Sequence, residues 1–290
     1  MWDDILQEIS YIDIIKLKEI YKKYLPRTSH AYNYLNCVIK WKSSQNAKNY
    51  VTLMAPYGNW RKGTFIGIAE CNCYEIFIST LEEDNEALCR ALINTKKIIW
   101  NTRLLLYDVN SDLNRIAMKA LEKTTFQFHE EFVCNLWGMS YKKARNLQIN
   151  CPPEVYIDTL DSSHAELINF HWPHKYKDSE NYIATLIEMN GGYGVFLKSN
   201  GALVTWIVRN LLGLGILQTL DEYKRRGYGS LITKVLSKEI GKEGLDPMGS
   251  VLKSNISSQR MFQNIGFEIL GSVTFTENKE MRGYSHNSIL

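Results

Sequence analysis

Apolar positions between residues 228 and 240 recur at helical spacing. Tyr228, Leu231, Ile232, Val235, Leu236 and Ile240 share one face, and Lys234, Lys238 and Glu239 fall mostly on the other. The spacing predicts an amphipathic helix resting on a core. Carried along the chain, the same reading gives a mixed α/β pattern in two halves. In the first half, residues 4–25 read as a helix stopped near Pro26. Residues 50–55, 64–69 and 74–79 read as strands, with Tyr57-Gly58-Asn59 as the turn between the first two. Helices are expected over 84–94 and 112–122, and strands within 98–109 and 126–137.

Cys151-Pro152-Pro153 is the expected linker, because two prolines break a helix and stiffen the join. The division is therefore 1–150 and 154–290. In the second half, 155–160 reads as a strand and 162–170 and 179–189 as helices. Strands 193–197 and 202–208 follow, joined around Asn200-Gly201, a strong hairpin turn. Strand 212–220 leads into the amphipathic helix, and strand 249–252 comes next. A short helix then carries Met261, Phe262 and Ile265 as its stripe, with Ser257 or Ser258 as N-cap and Gly266 as C-cap. Residues 268–275 form the last strand.

Composition describes an ordinary globular protein: 290 residues, 45% hydrophobic and 22% charged. The net charge of +3 is too small to argue for nucleic acid or an acidic membrane surface, and the basic residues are spread out apart from 224–226. Cys37, Cys71, Cys73, Cys89, Cys134 and Cys151 match no zinc spacing. The alternation around Cys71 and Cys73 suggests a strand, and all six read as reduced thiols. His171 and His174 are the one close histidine pair, but Pro173 between them argues against a shared helical face, so no metal is expected. No apolar run reaches membrane-spanning length, and the acidic N-terminus lacks a signal-peptide pattern. A cytoplasmic location is expected, with oligomeric state left open.

The candidate chemistry lies in Thr219 to Ile232. A strand end, a basic glycine turn and a helix start build an anion site from backbone amides. Gly227 and Gly229 let the backbone approach a phosphate, and Lys224, Arg225 and Arg226 add charge. Neither the G-x-x-x-x-G-K-[ST] loop nor the G-x-G-x-x-G fingerprint occurs there. A plain glycine loop with solvated basic residues is the alternative.

A second block, Asn255 to Phe267, joins the first in a recognisable pair. Together they resemble the GNAT acyltransferase superfamily, whose pattern is [QR]-x-x-G-x-[GA] followed by N-x-x-[AS]-x-x-x-[YF]-x-x-x-G-F. Lys224 stands where Gln or Arg is usual; Asn255, Ser258, Phe262, Gly266 and Phe267 fit. His171 to Lys175, Ala202 to Trp206 and Thr219 to Lys224 are similar to the glycine N-acyltransferase-like branch, over 154–275. Tyr50 to Ile66 carries a weaker likeness, and the first half is read as a degenerate copy of the fold, with an unrelated α/β domain as the alternative.

The resemblance implies an α/β GNAT fold in the second half. It implies acyl-CoA or acetyl-CoA as donor, a small amine or amino acid as acceptor, and no metal. The strand before the turn would part from its neighbour, so that the pantetheine arm pairs with main chain around Gln218, Thr219 and Leu220. The pyrophosphate would sit on amides of Arg225, Arg226, Gly227, Tyr228, Gly229 and Ser230, beside Lys224. Asn255, Ser258 and Phe262 complete the coenzyme half.

The catalytic half departs from the pattern. Phe262 replaces a tyrosine acid, and no acidic residue lies between 202 and 220, where Gly213 and Leu214 occupy the place of a glutamate base. Tyr193, Tyr228, His171, His174, Tyr284 and His286 are candidate proton carriers. Trp206 reads either as an acceptor-pocket wall or as core, and Arg209 as a carboxylate partner or a solvated strand end. A noncatalytic acyl-CoA-binding protein and a protein N-acetyltransferase are the competing readings.

Overall fold

The computed structural model describes residues 4–70 and 74–281. The chain divides into two units, Met1–Cys134 with Ser272–Leu290, and Asn135–Gly271. The expected break at Cys151–Pro153 falls inside the second unit. The prolines mark only the entry to a strand, and the last strand of the chain belongs largely to the first unit.

The first unit runs β1 (Leu6–Glu8), α1 (Tyr11–Lys22), α2 (Ser29–Ser43), β2 (Val51–Pro56), β3 (Phe65–Glu70), β4 (Tyr74–Ser79), α3 (Glu86–Asn94), β5 (Leu104–Asn110) and α4 (Ser111–Leu121). Two expectations need correction here. Residues 4–25 are not one helix: Leu6–Glu8 is a strand, with Leu6 opposite Pro56 of β2. The Ser10 side chain accepts from the Asp13 amide and starts α1 after it. Three strand residues are too few to alter the helical periodicity read over the whole stretch. Helix α2 was not expected, because its buried face is built from Ser29, Asn33, Tyr34 and Trp41 as much as from aliphatics. Cys71 and Cys73 lie outside the described residues.

The second unit contains β6 (Phe128–Gly138) from Asn135 onward and α5 (Tyr141–Ala144). Then come β7 (Val155–Thr159), α6 (Ala165–His171), α7 (Ser179–Asn190), β8 (Gly192–Leu197), β9 (Leu203–Arg209), β10 (Leu214–Thr219), α8 (Tyr228–Lys242), β11 (Met248–Leu252) and α9 (Ile256–Ile265). Strand β12 (Glu268–Asn278) begins here and pairs with β5 from Val273. The order β7, two helices, three strands, helix, strand, helix repeats the order of the first unit.

Sheet order is repeated too. The first unit runs β1-β2-β3-β4-β5-β12 and the second β7-β8-β9-β10-β11-β6. From β1 to β5 and on to β12, and from β7 to β11, pairing is antiparallel except for β4 with β5 and β10 with β11, which are parallel.

The α8 face predicted from periodicity forms: Tyr228, Leu231, Ile232, Leu236 and Ile240 are buried, and Val235 is half-buried. They pack with Val204, Ile207, Leu214, Phe262 and Phe267 in one core cluster. Two turns of α8 hold small residues for a different reason. A Cβ on Gly241 would stand 2.7 Å from the Arg145 backbone nitrogen, so α5 can lie against this stripe only because it is bare.

Candidate functional site

Strand β10 starts tightly held and then leaves its parallel neighbour. Gly213 has φ +152°, and a Cβ there would meet the Met248 carbonyl oxygen at 2.6 Å. Leu214 faces Gly249 in the β10–β11 register, and no further residue of the two strands pairs. On its other edge β10 stays on β9, with Gln218 opposite Trp206 and Thr219 opposite Thr205, after a register shift between Gly215 and Gln218. Ile216 sits at φ +42° inside that bulge, a costly conformation for a β-branched residue. The parting of β10 and β11 leaves main chain of both strands unpaired along a cleft.

The cleft opens into a cavity of about 250 Å³. It is lined by Trp172, Pro173 and His174 after α6, Trp206 and Ile207 of β9, residues 214–218 of β10, residues 249–252 of β11, and Asn255, Ser258 and Phe262. Of the residues assigned from sequence to the coenzyme half, Gln218, Asn255, Ser258 and Phe262 meet on this cavity, together with the candidates His174 and Trp206. The Asn255 side chain accepts from the Ser258 amide at 3.0 Å, so Asn255, and neither Ser257 nor Ser258, caps α9. The reason is reach: an Asn oxygen at N-cap meets the amide three residues on. Phe262 is buried and packs its ring edge-on against Phe267, with centroids 4.9 Å apart.

The basic turn lies beside this cavity, outside its lining. A 3-10 turn, Asp221–Tyr223, follows β10, and α8 begins at Tyr228. Arg225 (φ +62°) and Gly227 (φ +84°) flank Arg226, the alternating hand from which backbone anion nests are made. No side chain caps α8, and the Leu231 amide is the first to close a helical bond, on the Gly227 carbonyl at 2.9 Å. The Tyr228, Gly229 and Ser230 amides of the first turn thus have no helical acceptor. A Cβ on Gly229 would stand 3.4 Å from Met261 Sδ and 3.7 Å from Thr219 Oγ1, which puts this turn against α9 and the end of β10.

The charges at the turn are unequal. Lys224 pairs with Asp221 at 2.5 Å, and that bond holds the Asp221 carboxyl below the usual range. Arg226 donates to the Glu222 carbonyl at 3.2 Å and lies over the Tyr223 ring at 5.1 Å. Arg225 is exposed and has no ion pair among the described residues. Leu220 differs from expectation: its amide donates to the Val204 carbonyl at 3.0 Å, so that N–H is engaged by β9. Thr219 bonds Thr205 through its hydroxyl at 3.1 Å.

The candidate proton carriers separate cleanly. His174 lines the cavity. It keeps exposed surface, yet the surrounding wall disfavours the imidazolium and holds its pKa below the ordinary histidine value. His171 lies against the Trp206 ring at 5.9 Å. Tyr228 is buried and donates to Glu154 Oε1 at 2.8 Å; burial, then that carboxylate, raises its pKa. Tyr193 packs on the core cluster, its pKa raised by burial and then by Glu239. Tyr284 and His286 lie outside the described residues. Trp206, fully buried, is both core and cavity wall. Arg209 is bound to Glu243 by two hydrogen bonds of 2.6 and 2.8 Å and does not line the cavity.

The first unit repeats the strand plan without this turn. Between β4 and α3 it carries Glu82, Glu83 and Asp84, and Glu86 opens the helix. Negative charge at a helix start repels an anion. Among the described residues no group of three or more His, Cys, Asp or Glu could hold a metal ion, and no helix is long and apolar enough to cross a membrane.

Comparison with known proteins bears on this geometry. A family model described as FR47-like protein matches residues 192–276, and one described as a domain of unknown function matches residues 5–120. Human glycine N-acyltransferase-like protein 2 is 33% identical over 112 residues, which are 38% of this chain and 38% of that protein. A Drosophila protein solved as a structural-genomics target superposes with a TM-score of 0.86 at 24% identity, covering 96% of this chain and 99% of that one. A tandem GNAT protein from the clavulanic acid biosynthesis pathway gives a TM-score of 0.52 at 8% identity, over 98% and 99% of the two chains. The second half has the GNAT fold, and the likeness to the glycine N-acyltransferase-like branch stands. The first half is another α/β domain of the same strand and helix order.

Proposed function

We propose that this chain moves an acyl group from acyl-CoA to the nitrogen of a small amine or amino acid by direct transfer. The single observation that carries the reading is the pairing of an uncapped α8 start with the parted strands β10 and β11. An anion and an extended arm leading from it would both find unpaired backbone there. When bound, acyl-CoA supplies the activated thioester carbonyl.

The residues then divide the work. The amides of Tyr228, Gly229 and Ser230 and the Arg225 guanidinium hold the pyrophosphate. Main chain of the bulge at Ile216 and Leu217, out of register with β9 and parted from β11, orients the arm. A backbone amide of the parted strand receives the developing oxyanion. His174, held neutral at pH 7, takes the proton that the amine must lose, and bringing both reactants into one cavity supplies much of the remaining acceleration. Phe262 donates no proton, so the departing thiolate takes one from solvent.

The test is release of free thiol from a panel of acyl-CoAs by the purified protein, with and without pooled amines and amino acids. Amine-dependent release is expected. A stabilising shift in melting temperature with acyl-CoA, and no release with any acceptor, would favour a noncatalytic binding protein.

A further inference from the structure

The cavity lining combines two kinds of side chain. Polar groups are Gln218, Ser250, Asn255 and Ser258. Aromatic ones are Trp172, His174 and Trp206, with Pro173 and Ile207, and Trp206 lies opposite Gln218 in the β9–β10 register. Trp172 stacks on Tyr182 with centroids 6.1 Å apart and lies 6.2 Å from His174. Among the described residues the lining contains no lysine, arginine, aspartate or glutamate. Cations nearby in sequence are turned elsewhere. Arg209 is held by Glu243, and Lys175 donates to the Phe170 carbonyl at 3.0 Å and lies over the Phe170 ring at 5.3 Å. His171 stands outside the lining, next to Trp206. One neutral donor is buried in the wall, the Trp206 indole Nε1–H, which has no hydrogen-bond partner.

A carboxylate brought into such a wall loses its water and gains neither a cation nor a paired set of donors. A flat apolar body loses nothing comparable and gains contact with aromatic rings. An amine suits the same wall in either protonation state, since an ammonium is attracted to aromatic faces and a neutral amine is easily desolvated. We propose that the acceptor subsite is the aromatic part of this cavity, walled by Trp172, His174 and Trp206, and that it takes a primary amine with an apolar or aromatic body and no carboxylate. This rests on the acyl-transfer reading above and narrows its acceptor to amines, excluding amino acids.

The test is calorimetric binding to the full chain in saturating CoA, comparing phenethylamine with phenylalanine and tryptamine with tryptophan. Each pair differs only by the carboxylate. The amine is expected to bind at least about tenfold tighter than its amino acid, the size of effect one desolvated charge commonly produces. Trp172→Ala, at a partly exposed position, should lower amine affinity and leave CoA affinity unchanged. Trp206→Phe, which keeps an aromatic ring, should retain the preference for amine over amino acid. Equal or tighter binding of the amino acid overturns the proposal, and so does a lack of binding by either. Absence of CoA binding in the same titrations would overturn the acyl-transfer reading itself, and is read separately.

Discussion

Leu214 faces Gly249, and past that pair β10 and β11 separate. The contact is fixed one residue earlier by Gly213, whose missing Cβ lets its backbone lie against the Met248 carbonyl. Gly213→Ala should therefore force the two strands apart where they must touch. A loss of about 2 kcal/mol in urea unfolding is expected, in the range of strained backbone substitutions. Unchanged stability would mean that β10 is not held at this point.

Tyr228 and Glu154 give a pH-dependent check. The Tyr228 hydroxyl donates to the carboxylate, and hydrogen bonding, first with the backbone of Glu154 itself and then with Tyr228, holds the Glu154 pKa below the ordinary glutamate value of 4.5. A lowered folded pKa contributes stability above the unfolded value, and this is lost as pH falls through the folded value. Tyr228→Phe should lower the melting temperature at pH 7, and the difference from wild type should shrink in acid. A difference independent of pH would assign the effect to packing alone.

His174 behaves in the same direction for another reason. Although it keeps exposed surface, desolvation by the surrounding wall disfavours its charged form, so the unfolded chain binds the proton more readily. Stability is full above the ordinary histidine pKa of 6.5 and falls as pH drops below it. His174→Gln should flatten that slope in thermal unfolding. In the thiol-release assay the same variant should lower kcat by about 10²-fold, the lower end of general base effects. Wild-type kcat in His174→Gln would remove it from the proton path.

Phe262→Tyr asks whether the absent acid can be restored. The ring is buried on the cavity wall, and a Cβ on Gly249 would stand 3.1 Å from its Cε1 and Cζ atoms. The variant should fold, and thiol release should rise by up to about 10²-fold. A folded variant with unchanged turnover would show that solvent protonates the thiolate well enough.

Much of the second half is legible in the sequence, because its signals are local. The α8 stripe, the Asn200-Gly201 hairpin and the Asn255 to Phe267 block each need only a few neighbouring residues. What escaped depends on distant partners. Leu6–Glu8 becomes a strand because β2 lies beside it, and α2 buries polar and aromatic groups that make no aliphatic stripe. Leu220 was expected to offer its main chain, but Val204 takes its amide. The role of Arg209 could not be read without Glu243, thirty-four residues away. His174 was one of six candidate proton carriers, and only its place on the cavity lining, in the loop after α6, sets it apart from the others.

The most direct test of the coenzyme site is calorimetric titration of acetyl-CoA into the wild-type chain and into Gly227→Asp and Arg225→Gln. Gly227 holds φ +84° with open space where a Cβ would stand, so an aspartate meets no neighbouring atom, and aspartate is among the few residues that enter the left-handed region at modest cost. One-to-one binding is expected for wild type. Affinity should drop at least about tenfold in Gly227→Asp, the effect of removing one favourable charge interaction and adding one repulsion at a helix start. Arg225→Gln should bind less tightly and lose part of its salt dependence. Wild-type affinity in a folded Gly227→Asp, or no binding by the wild-type chain, would contradict a phosphate site at the start of α8.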